Sequence, residues 1–186
     1  MPPDTVPEPW RSFLRELNAQ LTAPIDLHCI GGFTVSMCYG LARPTGDIDV
    51  FDVLPRSRAG ELLHLAQAGA PLAQKHRVHI QKVSVVNLPE HYAERLIEMF
   101  PRAYSRLRLL APDACDLALS KLERNNDQDF EDVKHLARTV PLDLDVLRKR
   151  YEAEQRPFVL QPEREDLTLR LWIEAITEER TRTNRA

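Results

Sequence analysis

The sequence is poor in cysteine and has neither a long apolar run nor an excess of basic residues. It contains three cysteines among 186 residues, without a C-x-x-C pair, so neither a disulfide framework nor a structural zinc site is expected. No apolar run approaches the roughly 20 residues that span a bilayer, and the first ten residues lack the basic and apolar regions of a signal peptide. The formal net charge of −3 argues against a broadly basic surface for nucleic acid. We therefore expect a cytoplasmic protein without membrane contact.

The apolar and charged patterns predict an α/β (α+β) protein, in which a mixed sheet flanked by helices is followed by a helical subdomain. We place the two domains at residues 1–111 and 112–186. Alternating and β-branched stretches predict strands, and apolar residues at spacings of three and four predict helices. The predicted strands are 25–30, 46–53, 77–86 and 106–112. The predicted helices are 10–21, 33–42, 58–68, 90–99, 114–124, 127–138, 142–154 and a last one around Leu169–Ile176.

Gly31 and Gly32 stand between a predicted strand and a predicted helix. Such a junction leaves backbone N–H groups at the positive end of the helix, and glycine lets a phosphate approach the backbone closely. We interpret the pair as a triphosphate-binding element. The alternative is an ordinary turn.

Asp47 and Asp49 lie on the next predicted strand. Residues i and i+2 of a strand project to the same face, so the two carboxylates point together while Ile48 points to the core. Mg²⁺ usually takes one or two carboxylates together with phosphate oxygens and water. We interpret the pair as a site for Mg²⁺ (or Mn²⁺), and the alternative is a solvent-exposed strand face. The first interpretation requires Asp47 and Asp49 to face the glycine pair.

Arg43 and Thr45 lie between these two elements. An arginine side chain can contact phosphate bidentately, which we expect of Arg43, and Thr45 either shapes the turn or donates to a phosphate. The alternatives are a surface arginine and simple turn chemistry.

The stretch GGFTVSMCYGLARPTGDIDV resembles the signature of the nucleotidyltransferase superfamily, which has the DNA polymerase β-like fold. With Gly40, Arg43 and Thr45 it is similar to a bacterial branch that includes the AbiE-type toxin nucleotidyltransferases. The resemblance implies that a nucleoside monophosphate is moved from an NTP to an acceptor hydroxyl. It also implies that Gly31 and Gly32 bind triphosphate and that Asp47 and Asp49 bind metal and are catalytic.

A second stretch, LALSKLERNNDQDFEDVKHL, resembles a later motif of that branch. By this resemblance Lys121 contacts phosphate, and Asp129 orients a group or serves as a base, with Asp132 completing the acidic pair. The alternative reading makes Lys121 a solvated helix residue and the two aspartates a charged outer face paired with nearby basic residues.

The sequence departs from the family pattern in one respect. Active members of this fold often carry a third carboxylate on a later strand, here 77–86, but no Asp or Glu occurs between Glu61 and Glu90. That strand holds His79, Gln81 and Ser84 instead. His79 is either a substitute ligand or base, or a structural or exposed residue, and a nearby helix is another source of the missing oxygen.

Residues 71–111 contain seven Lys or Arg against three acids. This stretch either touches RNA or nucleotide phosphates or forms an ordinary solvated surface.

These observations favour a metal-dependent nucleotidyltransferase acting on RNA, protein or a small molecule, with a cognate antitoxin or other partner protein in a toxin–antitoxin or phage-defence pair. The first alternative is a degenerate nucleotidyltransferase-like domain that binds a nucleotide or a protein without chemistry. The second is a protein in which the aspartate pair has no ligand.

Overall fold

The computed structural model of the chain describes residues 6–183. Residues 1–5 and 184–186 lie outside it. These residues are the outer ends of the two predicted domains, and residues 1–5 are also half of the ten-residue stretch to which the signal-peptide prediction refers. The chain forms two compact units. The first comprises the chain up to Val86 together with Leu96–Pro112, and the second comprises Asn87–Arg95 together with the chain from Asp113 onward.

The first unit is a mixed sheet flanked by helices, which confirms the predicted fold class. The elements are α1 (Trp10–Gln20), β1 (Ile25–Ile30), α2 (Gly31–Tyr39), β2 (Asp47–Leu54), α3 (Ala59–Ala66), α4 (Pro71–His76), β3 (His79–Lys82), β4 (Ile97–Met99) and β5 (Leu107–Ala111). Within the described residues the strand order is β3-β2-β1-β5-β4. The β1–β5 and β2–β3 pairs are parallel, and the β1–β2 and β4–β5 pairs are antiparallel.

Helix α1 anchors the core of this unit. Its Phe13, Leu14 and Leu17 side chains are fully buried, as the spacing of its apolar residues predicts. The Trp10 ring meets Phe33 of α2 edge to face, with the ring centroids 4.9 Å apart. Each such buried side chain stabilises the fold by about 1.5–3 kcal/mol, and the Trp10 ring links α1 to α2.

The junction between β1 and α2 has the form predicted from the glycine pair. Ile30 is extended, and Gly31 takes a positive φ of 74° as the first helical residue. The helix ends at Gly40, whose φ of 71° is left-handed and whose N–H donates to the carbonyl groups of Ser36 and Val35. Glycine adopts this conformation without the steric cost that a Cβ atom imposes.

For residues 70–99 one prediction was wrong, one was too long and one helix was missed. The predicted helix 90–99 is a 3₁₀ turn at Tyr92–Arg95 followed by the short strand β4. The predicted strand 77–86 is limited to β3, and the preceding helix α4 was not predicted. A three-residue edge strand is too short to show a period in the sequence, and its assignment depends on pairing with β5.

The second unit is helical. Its helices are α5 (Ala114–Leu119), α6 (Asp127–Thr139), α7 (Leu144–Arg150) and α8 (Pro162–Thr183). Asp113 caps α5 by accepting a hydrogen bond from the Asp116 N–H, and Asn126 and Asp129 form a capping box at the start of α6. Helix α5 ends five residues earlier than predicted. Leu169, Trp172, Ile173 and Ile176 are buried, which confirms the predicted apolar face of α8.

Arg95, Asn87 and Glu90 connect residues 87–95 to the rest of this unit. Its guanidinium donates to Asp116 at 2.8 Å and to Glu154 at 2.7 Å. Asn87 donates to Glu123, and the Glu90 N–H donates to the Glu154 carbonyl. These long-range polar contacts have no signature in the local sequence.

No helix between residues 6 and 183 combines the length and the apolar character needed to cross a membrane.

Candidate active site

The N-terminus of α2 and the carboxylate of Asp49 lie against each other. A Cβ atom built on Gly31 would lie 2.1 Å from Asp49 Oδ2, far closer than non-bonded atoms approach. The pairing of β1 with β2 sets Ile30 opposite Asp49, which fixes this approach. The requirement that the aspartates face the glycine pair is therefore met at Asp49.

Arg43 and Thr45 lie over the second glycine. A Cβ atom on Gly32 would lie 3.3 Å from Arg43 Nη2 and 3.7 Å from Thr45 Oγ1. Thr45 Oγ1 also donates to Asp47 Oδ1 at 2.8 Å, which orients that carboxylate. All six predicted residues of the first motif thus converge on one place. The bond between Thr45 and Asp47 was not predicted, although their i, i+2 spacing is the signal that would have suggested it.

Helix α2 holds the loop that carries these side chains. The Ser36 hydroxyl donates to the Arg43 carbonyl at 3.3 Å. A β-bulge in β2 lies just beyond Asp49, because Val50 pairs with Cys29 and Asp52 pairs with His28, so that Phe51 is the extra residue of the bulge. Bulges often re-aim side chains beside functional sites.

The donor set at this site suits a hard divalent cation bound with phosphate. Asp47 and Asp49 are half-buried and alternate along the strand with Ile48 and Val50, which are fully buried. Across residues 6–183, no three His, Cys, Asp or Glu side chains are arranged to hold a metal ion. Two carboxylates fit Mg²⁺ only when a ligand and water supply the other oxygens. The positive end of α2 and the Arg43 guanidinium would favour the phosphates of such a ligand.

Lys121, Asp129 and Asp132 form an ion-pair cluster within the second unit. Lys121 Nζ lies 2.7 Å from Asp132 Oδ2 and 3.4 Å from Asp129 Oδ1. All three side chains are at most 5% exposed, so the alternative of a solvated lysine and a charged outer face is wrong in its exposure, whereas the pairing of the aspartates with nearby basic residues is present. Arg124, which was not predicted to belong to the motif, donates to both oxygens of Asp129.

The cluster controls the ionisation of Asp129. Burial alone would raise its pKa, but hydrogen bonds from Arg124 and the charge of Lys121 outweigh burial and hold the pKa of Asp129 below its usual value. The Asn126 N–H adds a further bond. Asp129 is therefore a stably ionised carboxylate. Its catalytic role, like that of Lys121, stays a prediction.

Most basic side chains of residues 71–111 already have partners within their own unit. Arg95 binds acids of the second unit, and in the first unit four others bind a carboxylate or a backbone carbonyl, as follows: Lys75 with Glu16, Lys82 with the Phe51 carbonyl, Arg106 with the Leu21 carbonyl and Arg108 with Asp26. This pattern fits a solvated surface better than a dedicated phosphate track. Contact with RNA stays a prediction.

The family comparison identifies one match. The model of a family described as "Nucleotidyltransferase of unknown function (DUF6036)" matches residues 12–180. No match was found among curated proteins or among solved structures.

Proposed function

Because the chain belongs to the nucleotidyltransferase family of unknown function (DUF6036), we propose that it is a metal-dependent enzyme that moves a nucleoside monophosphate from an NTP to an acceptor hydroxyl. The observation that carries the proposal is the approach of the Asp49 carboxylate to Gly31 at the N-terminus of α2. It brings a phosphate-binding backbone and a metal-binding carboxylate together.

Each residue of the first motif has a defined part in the proposed reaction. The N–H groups at Gly31 and Gly32 bind the triphosphate, and Arg43 adds a charged contact to it. Asp47 and Asp49 would hold Mg²⁺ or Mn²⁺, which when bound polarises the phosphoryl oxygens. Thr45 keeps the Asp47 carboxylate in a fixed orientation.

The transfer itself is a displacement at phosphorus. The acceptor oxygen attacks the α-phosphorus and forms the new O–P bond. The bond from the α-phosphorus to the bridging oxygen breaks, pyrophosphate leaves with the electron pair, and water takes the hydroxyl proton. The residues of the first motif contribute binding and positioning, which supply a large share of the rate in such transfers.

The acceptor and the biological setting are further parts of the proposal. RNA or protein as acceptor, a cognate antitoxin as partner, and a role in toxin–antitoxin or phage-defence pairs are supported by the resemblance of the two motifs. Lys121 and Asp129 belong to the second motif, and the proposed reaction gives them no step because their side chains already bind each other.

One observation favours a second candidate, a domain that binds a nucleotide without transferring it. Strand β3, which pairs with β2, carries no acid, so the third carboxylate of many active members is missing from that strand. This candidate predicts nucleotide binding without transfer of label.

The test is thermal unfolding with and without Mg²⁺ and each of the four NTPs, for the unmodified chain and Asp47→Asn. A ligand at 100 times its dissociation constant stabilises by about 2.7 kcal/mol, and we expect this shift only with Mg²⁺ and an intact Asp47. The matched control is Asp52→Asn on the same strand, whose carboxylate pairs with Arg56 at 3.2 Å and which should keep the shift.

Incubation with α-labelled NTP and cell extract then separates the two candidates. Label on a macromolecule supports the enzyme. A thermal shift without label supports the binding domain, and the absence of any shift contradicts both.

A further inference from the structure

Strand β3 lies beside the aspartate pair and shares its face of the sheet. The two strands are parallel, with His79 opposite Asp47 and Gln81 opposite Asp49. Residues opposite each other on neighbouring strands project to the same face. Burial agrees, because Ile48 and Ile80 are both buried on the other face. His79 and Gln81 are therefore the side chains that β3 presents next to the two carboxylates.

Neither of these neighbours is an acid, and no acid is available nearby in the sequence. The chain has no Asp or Glu between Glu61 and Glu90. Within residues 6–183, no three metal-binding side chains of the His, Cys, Asp and Glu types come together. Among the carboxylates of the described residues, the contribution to a metal at this site therefore comes from Asp47 and Asp49.

Two carboxylates leave a divalent ion with most of its coordination positions open. Mg²⁺ requires six oxygens in a near-ideal octahedron and gives up its water reluctantly. The nucleotide phosphates are the natural source of further oxygens, and they also bind to the N-terminus of α2. Metal and nucleotide should thus depend on each other for binding.

We infer that the site takes a single divalent ion, that the ion binds only together with the nucleotide, and that the uncharged Gln81 sets this limit. This inference rests on the proposed function. By this inference, the site differs from one in which a third carboxylate binds a second ion.

The exchange Gln81→Glu tests the role of Gln81 directly. It replaces one atom by another of nearly the same size and puts a third negative charge beside Asp49. Gln81 is exposed, so the exchange should leave the fold intact, which the unfolding temperature without ligand will verify. Gln67→Glu is the matched control, because Gln67 is also exposed, lies at the end of α3 in the same unit and gives the same change in charge.

The first measurement determines the affinity of the chain for Mn²⁺ in the absence of nucleotide. The concentration of free Mn²⁺ is followed by electron paramagnetic resonance. We expect the unmodified chain and Gln67→Glu to bind Mn²⁺ only weakly. Gln81→Glu should bind it about tenfold more tightly or better, because an added charge close to a cation strengthens binding. Equal affinity of Gln81→Glu and Gln67→Glu would overturn the role given to Gln81. Tight binding by the unmodified chain would overturn the dependence on nucleotide.

In the second measurement, the chain is incubated with Mn²⁺ and each NTP and is separated from unbound ligand by ultrafiltration. The amounts of bound Mn²⁺ and bound nucleotide per chain are then determined. One Mn²⁺ and one nucleotide per chain is the expected result for the unmodified chain. Two Mn²⁺ ions per bound nucleotide would overturn the inference and leave the proposed function standing. If no nucleotide is retained with any metal concentration, the proposed function fails and the inference fails with it.

Discussion

Asp49 Oδ2 occupies the space in which residue 31 would carry a Cβ atom, 2.1 Å from that position. Only glycine at position 31 is compatible with this placement of the carboxylate. The glycine is thus required both by its backbone conformation and by its neighbour. The two requirements can be separated by experiment, because Gly40 has nearly the same φ but no atom within 4 Å of its Cβ position.

We predict that Gly31→Ala destabilises the protein more than Gly40→Ala. A left-handed conformation costs a residue with a Cβ atom about 1–2 kcal/mol, and both variants bear this cost. Gly31→Ala must also displace Asp49, which adds about 1–3 kcal/mol for overpacking and should abolish the thermal shift with Mg²⁺ and NTP. Urea unfolding of both variants provides the comparison. Equal losses would show that Asp49 moves aside freely.

Thr45→Val should weaken metal binding while the fold is retained. Valine keeps the shape of threonine but removes the hydroxyl that donates to Asp47 Oδ1. Loss of a partner that orients a metal ligand typically costs 10–100-fold in metal affinity. The measurement is Mn²⁺ retention in the presence of NTP, and Thr45→Ser, which keeps the hydroxyl, should behave like the unmodified chain. Similar retention by Thr45→Val and Thr45→Ser would assign Thr45 to the turn alone.

Lys121→Met should destabilise the protein by about 3–5 kcal/mol, because it removes the buried ammonium group that Asp132 and Asp129 share. The control is Lys149→Met, an exposed lysine of α7, which should change stability by no more than about 0.5 kcal/mol. The check is the free energy of unfolding in urea. A loss below about 1 kcal/mol for Lys121→Met would contradict a structural role and favour the predicted contact with phosphate.

Asp129 makes stability depend on acid pH. Its pKa is lower in the folded state than in the unfolded chain, so its contribution is complete above the unfolded value of about 3.9 and is lost as the pH falls toward the folded value. Unfolding free energy measured from pH 7 to pH 3 should therefore fall less steeply at the acid end for Asp129→Asn than for the unmodified chain. Parallel curves would show that Arg124 and Lys121 do not stabilise the ionised form.

The first motif could be predicted from sequence because its structure is local. A strand, two glycines, a helix ended by Gly40 and a second strand follow one another within residues 25–54, and each has its own pattern of burial or its own φ requirement. The approach of Asp49 to Gly31 follows once the two strands pair. The loop contacts of Arg43 and Thr45 depend on side-chain positions that no periodicity specifies.

The second motif was predicted less well because its environment comes from long-range packing. The sequence reading offered a phosphate contact or a solvated lysine for Lys121, and the structure buries it against two aspartates of α6. Helix α5 stops at Leu119, and Asn125 takes a positive φ of 42° before α6 begins. A turn of this kind brings Lys121 back toward α6, whereas the helical spacing of residues 114–124 predicted a continuous helix.

The segment 87–95 offers the last prediction, which concerns the contacts that attach it to the second unit. Arg95 donates to Glu154 and to Asp116, whose side chain is fully buried. The backbone carbonyl of Glu154 accepts a hydrogen bond from the Glu90 N–H. The Glu154 carboxylate accepts a hydrogen bond from the His91 N–H. Arg95→Met removes the guanidinium that holds the Glu154 side chain. The His91 and Glu90 amides should then exchange their hydrogens faster.

Hydrogen exchange measured by mass spectrometry resolves this segment from the rest of the chain. We expect Arg95→Met to speed exchange in residues 87–95 and to lower the free energy of unfolding by about 1.5–3 kcal/mol, the range for hydrogen bonds to charged groups, while the amides of β1 keep their protection. Arg148→Met, which removes an exposed arginine paired with Asp145, should leave the segment unchanged. Unaltered exchange in Arg95→Met would mean that the backbone bond from Glu90 to Glu154 and the Asn87 contact suffice to hold the segment, and that the arginine serves Asp116 alone.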